Sequence, residues 1–166
     1  MTHLPAYQFE GYLFRPAVWG DLALAQSWNH IDPEHTWEGG LPLYWIEQTA
    51  EVNSYVLEDR TGVVFFVKSI RSAGDEIQIN LQFDRSHATV SKMRTMQGMV
   101  AGMRWLQKAL PLNGFRAVYF VSKNPELMAF AEKGLGFARD GERYVFVFTK
   151  GDADGQVDSS KTRQVA

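Results

Sequence analysis

One predicted helix start combines cationic and hydroxyl side chains with unpaired backbone donors. Its residues are Ser91, Lys92, Met93, Arg94, Thr95 and Met96. The first turn of a helix leaves its N–H groups without intrahelical partners and carries partial positive charge, which suits a phosphate. Lys92 and Arg94 add two charges, and Ser91 and Thr95 add hydroxyl donors, so a diphosphate would be well matched. The alternative is a solvated basic helix start, although two cations there would oppose the helix dipole.

The helix that begins with this turn is the longest that the sequence predicts. Apolar residues recur every three or four positions from Met93 to Leu110, which indicates one buried stripe, and Pro111 follows as an end signal. Gly98 and Gly102 lie four residues apart within it. Their missing side chains would let this face of the helix approach a sheet closely, at some cost in helix propensity.

Strands are predicted before and after this helix. Residues 77–83 alternate apolar with polar side chains, and residues 116–121 are predicted to form a buried strand from the apolar run at 117–121. A strand, a helix and a second parallel strand make a right-handed crossover. The sequence therefore predicts one parallel pair in an otherwise antiparallel sheet.

The other predicted elements are short helices and antiparallel strands. In chain order they are a strand at 11–15, a helix with Asp21 as N-cap, a short helix from Pro42 to about Thr49, a hairpin of 54–58 and 63–69, a helix capped by Asn124 with Pro125 at its first position, and a hairpin of 137–139 and 144–149. The predicted fold is α/β, with a mixed, mostly antiparallel sheet, one parallel pair and flanking helices.

Length and composition narrow the class of protein. The chain has 166 residues, which fits one domain at 1–150, because residues 151–166 contain almost nothing apolar and indicate a disordered tail. It contains no cysteine, which excludes thiol nucleophiles and cysteine zinc sites. A net charge of −2 argues against a nucleic-acid module, for which Lys92, Arg94 and Arg104 would be the basis. No membrane-spanning run or signal peptide is visible, so we expect a cytoplasmic protein.

Three passages resemble the GNAT (N-acetyltransferase) superfamily. They are Phe14-Arg15-Pro16-Ala17 with Asp21-Leu22, then Phe83-Asp84 leading to the long helix, and finally Asn124-Pro125 with Phe130, Glu132-Lys133 and Gly136-Phe137. The order of predicted elements also resembles that family, over roughly residues 12–149. The resemblance implies a GNAT-like fold and acetyl-CoA or another acyl-CoA as co-substrate.

The resemblance also assigns cofactor contacts. Phe83 and residues 91–96 would bind the cofactor. Asn124 and Phe130 would lie near the pantetheine arm of the cofactor. For Asn124, helix capping alone is an equal explanation.

Two departures from the family pattern bear on activity. The family's loop carries glycines where the best match in this chain is Lys92-x-x-Thr95-x-Gln97. Many members also place a tyrosine, as general acid, where this chain has Phe130. Tyr144 is a possible substitute acid, on a predicted strand.

The acceptor side is expected in the aromatic segment that begins at Trp28. The candidate contacts there are Trp28, Trp37, Glu38 and Tyr44. Carboxylates near aromatic rings suit an amine or another cationic acceptor. Acyl transfer to an amine also needs a base, and Glu76 ranks first among candidates that include His30, Asp32, Glu34, His35 and Glu38. The histidine and carboxylate spacing matches no metal-ligand pattern, so no metal is expected.

Two functions remain open from the sequence. The first is an acyl-CoA-dependent N-acyltransferase that moves an acetyl or other acyl group to an amine of a small molecule or peptide. The second is a GNAT-like CoA-binding or regulatory module that has lost catalysis, which the missing glycines and tyrosine favour. A homodimer is compatible with either.

Overall fold

The computed structural model describes residues 6–34, 42–72 and 74–149, which fall into two compact units. The first unit runs to residue 71 and includes 79–101, and the second contains 72–78 and the chain from 102 onward. One strand and one helix pass through both units. The predicted disordered tail at 151–166 lies outside the described residues and stays a prediction.

The described residues contain an eight-stranded sheet. Its strands are β1 (Tyr7–Phe9), β2 (Tyr12–Pro16), β3 (Val52–Asp59), β4 (Gly62–Arg71), β5 (Glu76–Phe83), β6 (Ala117–Phe120), β7 (Ala138–Asp140) and β8 (Arg143–Val147). Their order is β1-β2-β3-β4-β5-β6-β8-β7. β5 and β6 are parallel, whereas β1–β2, β2–β3, β3–β4, β6–β8 and β7–β8 are antiparallel. The predicted mixed sheet with one parallel pair is confirmed.

Three α-helices accompany these strands in the described chain. They are α1 (Leu22–Ile31), α2 (Lys92–Leu112) and α3 (Pro125–Phe130), which continues into a π-helical turn at Ala131–Leu135. Short 3-10 turns cover Trp19–Asp21 and Pro42–Ile46. None of the described helices is long and apolar enough to cross a membrane.

The first unit begins with a hairpin of β1 and β2, of which the sequence predicted only the second strand. β2 was expected, but β1 pairs with it through a turn at Glu10 and Gly11, whose φ angles are 51° and 83°. Such positive values suit glycine and are uncommon for glutamate. Because Glu10 gives no turn signal of this kind, β1 was missed.

Asp21 occupies the predicted N-cap position of α1 but does not cap it with its side chain. Instead its carboxylate accepts hydrogen bonds from the guanidinium of Arg15, at 2.7 and 2.8 Å, and from Val18 N–H at 2.8 Å. Burial would raise the pKa of Asp21, but these bonds lower it below its usual range. Asp21 therefore ties α1 to β2.

The close approach predicted for the helix glycines is confirmed at Gly98. A Cβ atom built there would lie 2.9 Å from Val64 Cγ1 and 3.1 Å from Leu57 Cδ2 and Phe65 Cε1. Real Cβ atoms essentially never lie within 3.0 Å of another heavy atom, so a larger residue here would require the Val64 side chain to shift, and Gly98 lets α2 lie close to β3 and β4.

The core of the second unit is aromatic. The Phe120 ring stacks on Tyr144 with centroids 5.3 Å apart and meets Phe137 edge-on at 5.1 Å. The predicted cap of α3 is confirmed, because the Asn124 side chain accepts hydrogen bonds from the next helix amides, with Pro125 at the first position.

Candidate functional site

The segment that joins β5 to α2, residues 84–91, is organised around one buried carboxylate. Asp84 is 1% exposed. One of its oxygens accepts from the N–H and hydroxyl of Ser86, and the other accepts from Thr89 N–H at 2.7 Å, Thr89 Oγ1 at 2.8 Å and Val90 N–H at 3.4 Å. Burial opposes ionisation, but these donors hold the pKa of Asp84 well below its usual range.

His87 sits in the middle of this segment in a left-handed conformation, with φ of 55°. Its Nδ1 atom lies 3.2 Å from the carbonyl oxygen of Val90, and its ring stacks on Phe83 with centroids 6.2 Å apart. A non-glycine residue keeps such a conformation where surrounding contacts hold it. The left-handed turn at His87 is therefore held by neighbouring contacts, since no glycine is present in the segment to adopt it without strain.

The first turn of α2 uses two of its predicted donors locally. The hydroxyl of Ser91 accepts from Arg94 N–H at 3.1 Å, so Ser91 is the N-cap of the helix. The hydroxyl of Thr95 donates to the carbonyl of Ser91 at 3.0 Å, and Thr95 is buried. Lys92 and Met93 are exposed, the latter by 63%, whereas Met96 is half-buried. The surface of this turn is thus formed by residues 91–93 and by Arg94.

Arg94 forms an ion pair that the sequence analysis did not foresee. Its Nε and Nη2 atoms each donate to a carboxyl oxygen of Asp59, at 2.8 Å. Asp59 also accepts from Thr61 and Gly62 N–H in the β3–β4 turn, at 2.8 and 3.1 Å. The Arg94 guanidinium is the largest cause of the lowered pKa of Asp59. Arg94 is therefore fixed by a turn of the first unit before any ligand is considered.

The predicted acceptor contacts differ in how much of each side chain is exposed. Trp28 is 3% exposed and meets Phe66 edge-on at 5.7 Å, so its ring belongs to the core and offers little surface to an acceptor. Tyr44 is half-buried, and Asn80 Nδ2 donates to its hydroxyl at 2.6 Å. Burial raises the pKa of Tyr44 and outweighs the hydrogen bond from Asn80, which on its own would lower it. Trp37 and Glu38 lie outside the described residues.

A buried lysine supports Tyr44. Lys68 is 1% exposed, and its Nζ lies 3.2 Å from the centroid of the Tyr44 ring. The same atom donates to the Tyr44 carbonyl at 2.9 Å and to Glu47 Oε2 at 2.7 Å. Burial lowers the pKa of Lys68, and Glu47 opposes that shift. This lysine orients Tyr44 by a cation–π contact and by its backbone together.

Asp32, one of the candidate bases, is buried at the end of α1. Its oxygens accept from Gln82 Nε2 at 3.0 Å, Arg85 Nη1 at 3.1 Å and Glu34 N–H at 2.9 Å. Arg85 belongs to the segment between β5 and α2. Asp32 therefore connects α1 to that segment within the first unit.

The other predicted catalytic residues belong to the second unit. Glu76 accepts from Arg116 Nη2 at 2.8 Å on one oxygen and from Arg143 Nη1 at 3.0 Å on the other. Tyr144 is buried on β8 against Phe120. Phe130 is half-buried at the end of α3, where a Cβ atom on Gly134 would lie 2.7 Å from its ring.

Comparison with known proteins rests on structure, because no protein-family model and no curated protein matches the sequence. A Bacillus anthracis acetyltransferase of the GNAT family superposes with a TM-score of 0.62 at 14% identity, covering 86% of this chain and 98% of that one. The chain has the GNAT fold. At this identity the likeness establishes the fold and leaves the activity to be argued from the site.

Two further GNAT-fold structures contain coenzyme A. Spermidine N-acetyltransferase from Vibrio cholerae, in complex with CoA and spermine, gives a TM-score of 0.61 at 15% identity over 82% of this chain and 95% of that one. A ribosomal L7/L12 α-N-protein acetyltransferase in complex with CoA gives 0.62 at 13% identity, over 90% of this chain and all of the other.

Four residues described above were assigned no role of their own from the sequence. They are Asp59, Lys68, Asp84 and Arg85. Asp84 and Asp59 each precede a hydroxyl residue by two positions, a spacing typical of side-chain-stabilised turns, which could have marked them. Lys68 interrupts an apolar strand at a position that alternation assigns to the core. In the described part of the chain, no three His, Asp or Glu side chains are grouped to hold a metal ion.

Proposed function

We propose that this protein is an acyl-CoA-dependent N-acyltransferase that moves an acetyl or other acyl group to an amine of a small molecule or peptide. One observation carries the proposal: the GNAT fold extends over 82–90% of the chain in comparisons with acetyltransferases that contain CoA. The same segment that the sequence singled out, β5 followed by the first turn of α2, is present with an exposed cationic surface.

The first turn of α2 is suited to an anion. Ser91, Lys92 and Met93 are exposed there, and the helix dipole favours negative charge at this end. Arg94 adds a guanidinium already oriented by Asp59. These groups fit a diphosphate, whereas buried Thr95 supports the helix start and leaves the phosphate contacts to the exposed residues.

An acyl-CoA would supply a thioester at such a site. The amine nitrogen of the acceptor attacks the acyl carbon, the amine loses a proton to a base, and the CoA thiolate leaves and takes up a proton. Glu76 stays the first candidate for the base. To accept a proton from the amine, its carboxylate would have to give up a hydrogen bond from Arg116 or Arg143. Tyr144 stays the candidate acid. The contacts of Asn124 and Phe130 with the pantetheine arm stay predictions of the resemblance.

The acceptor is proposed to be an amine on the precedent of structural neighbours. The Vibrio cholerae protein binds spermine, and another neighbour is a ribosomal-protein acetyltransferase. In this chain Lys68 already lies over the half-buried Tyr44 ring and pairs with Glu47, so the acceptor contact of Tyr44 stays a prediction from the sequence. We also propose that the protein is cytoplasmic and forms a homodimer. The acyl-transfer reaction described above requires neither property.

A second candidate is a CoA-binding or regulatory module without catalysis. Two observations favour it: a phenylalanine stands at position 130, and both oxygens of Glu76 are engaged by arginines. The two candidates share CoA binding and differ only in transfer.

Transfer and binding can be measured separately on the same preparation. Release of free CoA from acetyl-CoA is followed with a panel of polyamines and N-terminal peptides, alongside calorimetric titration of CoA. Binding with amine-dependent release supports the enzyme. Binding with no release above the rate without acceptor would leave the regulatory module, and no binding would remove both.

A further inference from the structure

The segment between β5 and α2 owes its shape to Asp84. All of residues 85–90 lie outside regular secondary structure, and no proline is present to limit their conformation. Asp84 instead receives donors from Ser86, Thr89 and Val90 along the segment. A carboxylate that accepts several backbone N–H groups fixes a turn strongly, because charge-assisted bonds are about twice as strong as neutral ones.

Asp84 itself is not placed to touch a ligand. It is 1% exposed, and its two oxygens already accept five hydrogen bonds. Any effect of Asp84 on binding must therefore pass through the backbone that it holds. That backbone ends at Ser91, the cap of α2, so the position of the first helical turn depends on the same network.

We propose that Asp84 is a positioning residue for acyl-CoA binding, which holds the segment 85–91 and the start of α2 in the conformation that receives the diphosphate. This inference rests on the proposed function. A segment that is ordered beforehand binds more tightly than one that must be ordered by its ligand, because affinity falls with the fraction of molecules in the binding conformation. His87 in the same segment keeps its left-handed conformation beside the Val90 carbonyl and the Phe83 ring.

Asp84→Asn is the most direct test because it preserves size. The amide group turns one acceptor oxygen into a donor that faces other donors, so the bonds to Ser86 or to Thr89 and Val90 are lost. We expect faster hydrogen exchange at those amides in the ligand-free protein. We also expect a dissociation constant for CoA that rises by about tenfold or more. Where transfer is measurable, KM for acyl-CoA should rise with it and KM for the acceptor should not.

Asp21→Asn is the matched control. Asp21 is a buried carboxylate of the same unit that binds Arg15 and Val18 and belongs to no part of the proposed cofactor segment. It should lose stability as Asp84→Asn does, with unchanged CoA affinity. If Asp84→Asn does not fold, the double variant Ser86→Ala with Thr89→Val removes two hydroxyl donors from Asp84 and retains its charge, and it should weaken CoA binding in the same direction.

The wild-type titration comes first and separates the two claims. Wild type that fails to bind CoA overturns the proposed function, and this inference with it, before any variant is made. If wild type binds, faster exchange at 86, 89 and 90 with unchanged CoA affinity would overturn the positioning role alone. Equal weakening by Asp21→Asn would also overturn it, since general loss of stability would then explain both. Weaker binding in the Asp84 variants alone, with faster exchange there, supports it.

Discussion

The guanidinium of Arg94 binds the carboxylate of Asp59 through two hydrogen bonds of 2.8 Å, which join the start of α2 to the β3–β4 turn. Sequence reasoning assigned Arg94 to solvent and to a phosphate. The pair gives this arginine a structural role as well, and it orients the side chain before a ligand arrives. A phosphate oxygen that binds Arg94 must either share the guanidinium with Asp59 or displace it.

Arg94→Ala should therefore affect two properties. We expect a loss of stability of about 1 kcal/mol, because the ion pair is partly exposed, and CoA binding that weakens about tenfold. Asp59→Asn should lose similar stability while keeping the cation, so CoA affinity should be unchanged or higher. Thermal unfolding and calorimetry of both variants measure the two effects. Equal CoA affinity in wild type and Arg94→Ala would remove Arg94 from the cofactor site.

Asp84 should make the stability of the protein sensitive to acid. Its pKa is lowered in the folded state, so the unfolded state binds more protons, and the stabilisation is complete above the unfolded value of about 4. It is lost as the pH falls below that value toward the folded pKa. Urea unfolding from pH 6 down to 2 should show a steeper decline for wild type than for Asp84→Asn. Parallel curves would show that the carboxylate is not stabilised by folding.

Gly98 offers a test of the packing that positions α2. Gly98→Ala places a methyl group 2.9 Å from Val64 Cγ1, in a space closed also by Leu57 and Phe65. Overpacking of this kind costs about 1–3 kcal/mol, which outweighs the higher helix propensity of alanine. Chemical denaturation measures the change. A variant as stable as wild type would mean that α2 can move away from the strands at no cost.

Phe130→Tyr asks whether a hydroxyl at this position can serve as the acid. Phe130 is half-buried with its ring against Gly134, so an added hydroxyl should cost less stability than one placed in the fully buried core. If the chain is an enzyme with the geometry of its family, transfer should be equal or faster. Initial rates with saturating acetyl-CoA measure this. A less stable variant with no gain in rate would instead identify Phe130 as a packing residue.

Most of the order of elements could be predicted because those elements have local signals, whereas β1 lacks one. β5, α2 and the Asn124-Pro125 cap appeared where expected, although Met93, the first residue of the predicted buried stripe, is 63% exposed. The ion pair of Arg94 with Asp59 could not be predicted, because the two residues are 35 positions apart and only tertiary packing brings them together. The same holds for Lys68 beneath Tyr44 and for Glu76 between two arginines. Residue types predicted the chemistry of the site, but not which groups would already be bound to one another.

The central claim is that this GNAT-fold chain binds an acyl-CoA through the start of α2. Isothermal titration of the purified wild-type protein with acetyl-CoA, at low and at raised salt, tests it most directly. We predict saturable binding that weakens as salt increases, since the contacts are charges near the surface. The claim would be contradicted if acetyl-CoA and longer acyl-CoAs, at about 1 mM, gave no heat and no change in melting temperature. A titration at that concentration still detects a binding free energy of roughly 4 kcal/mol.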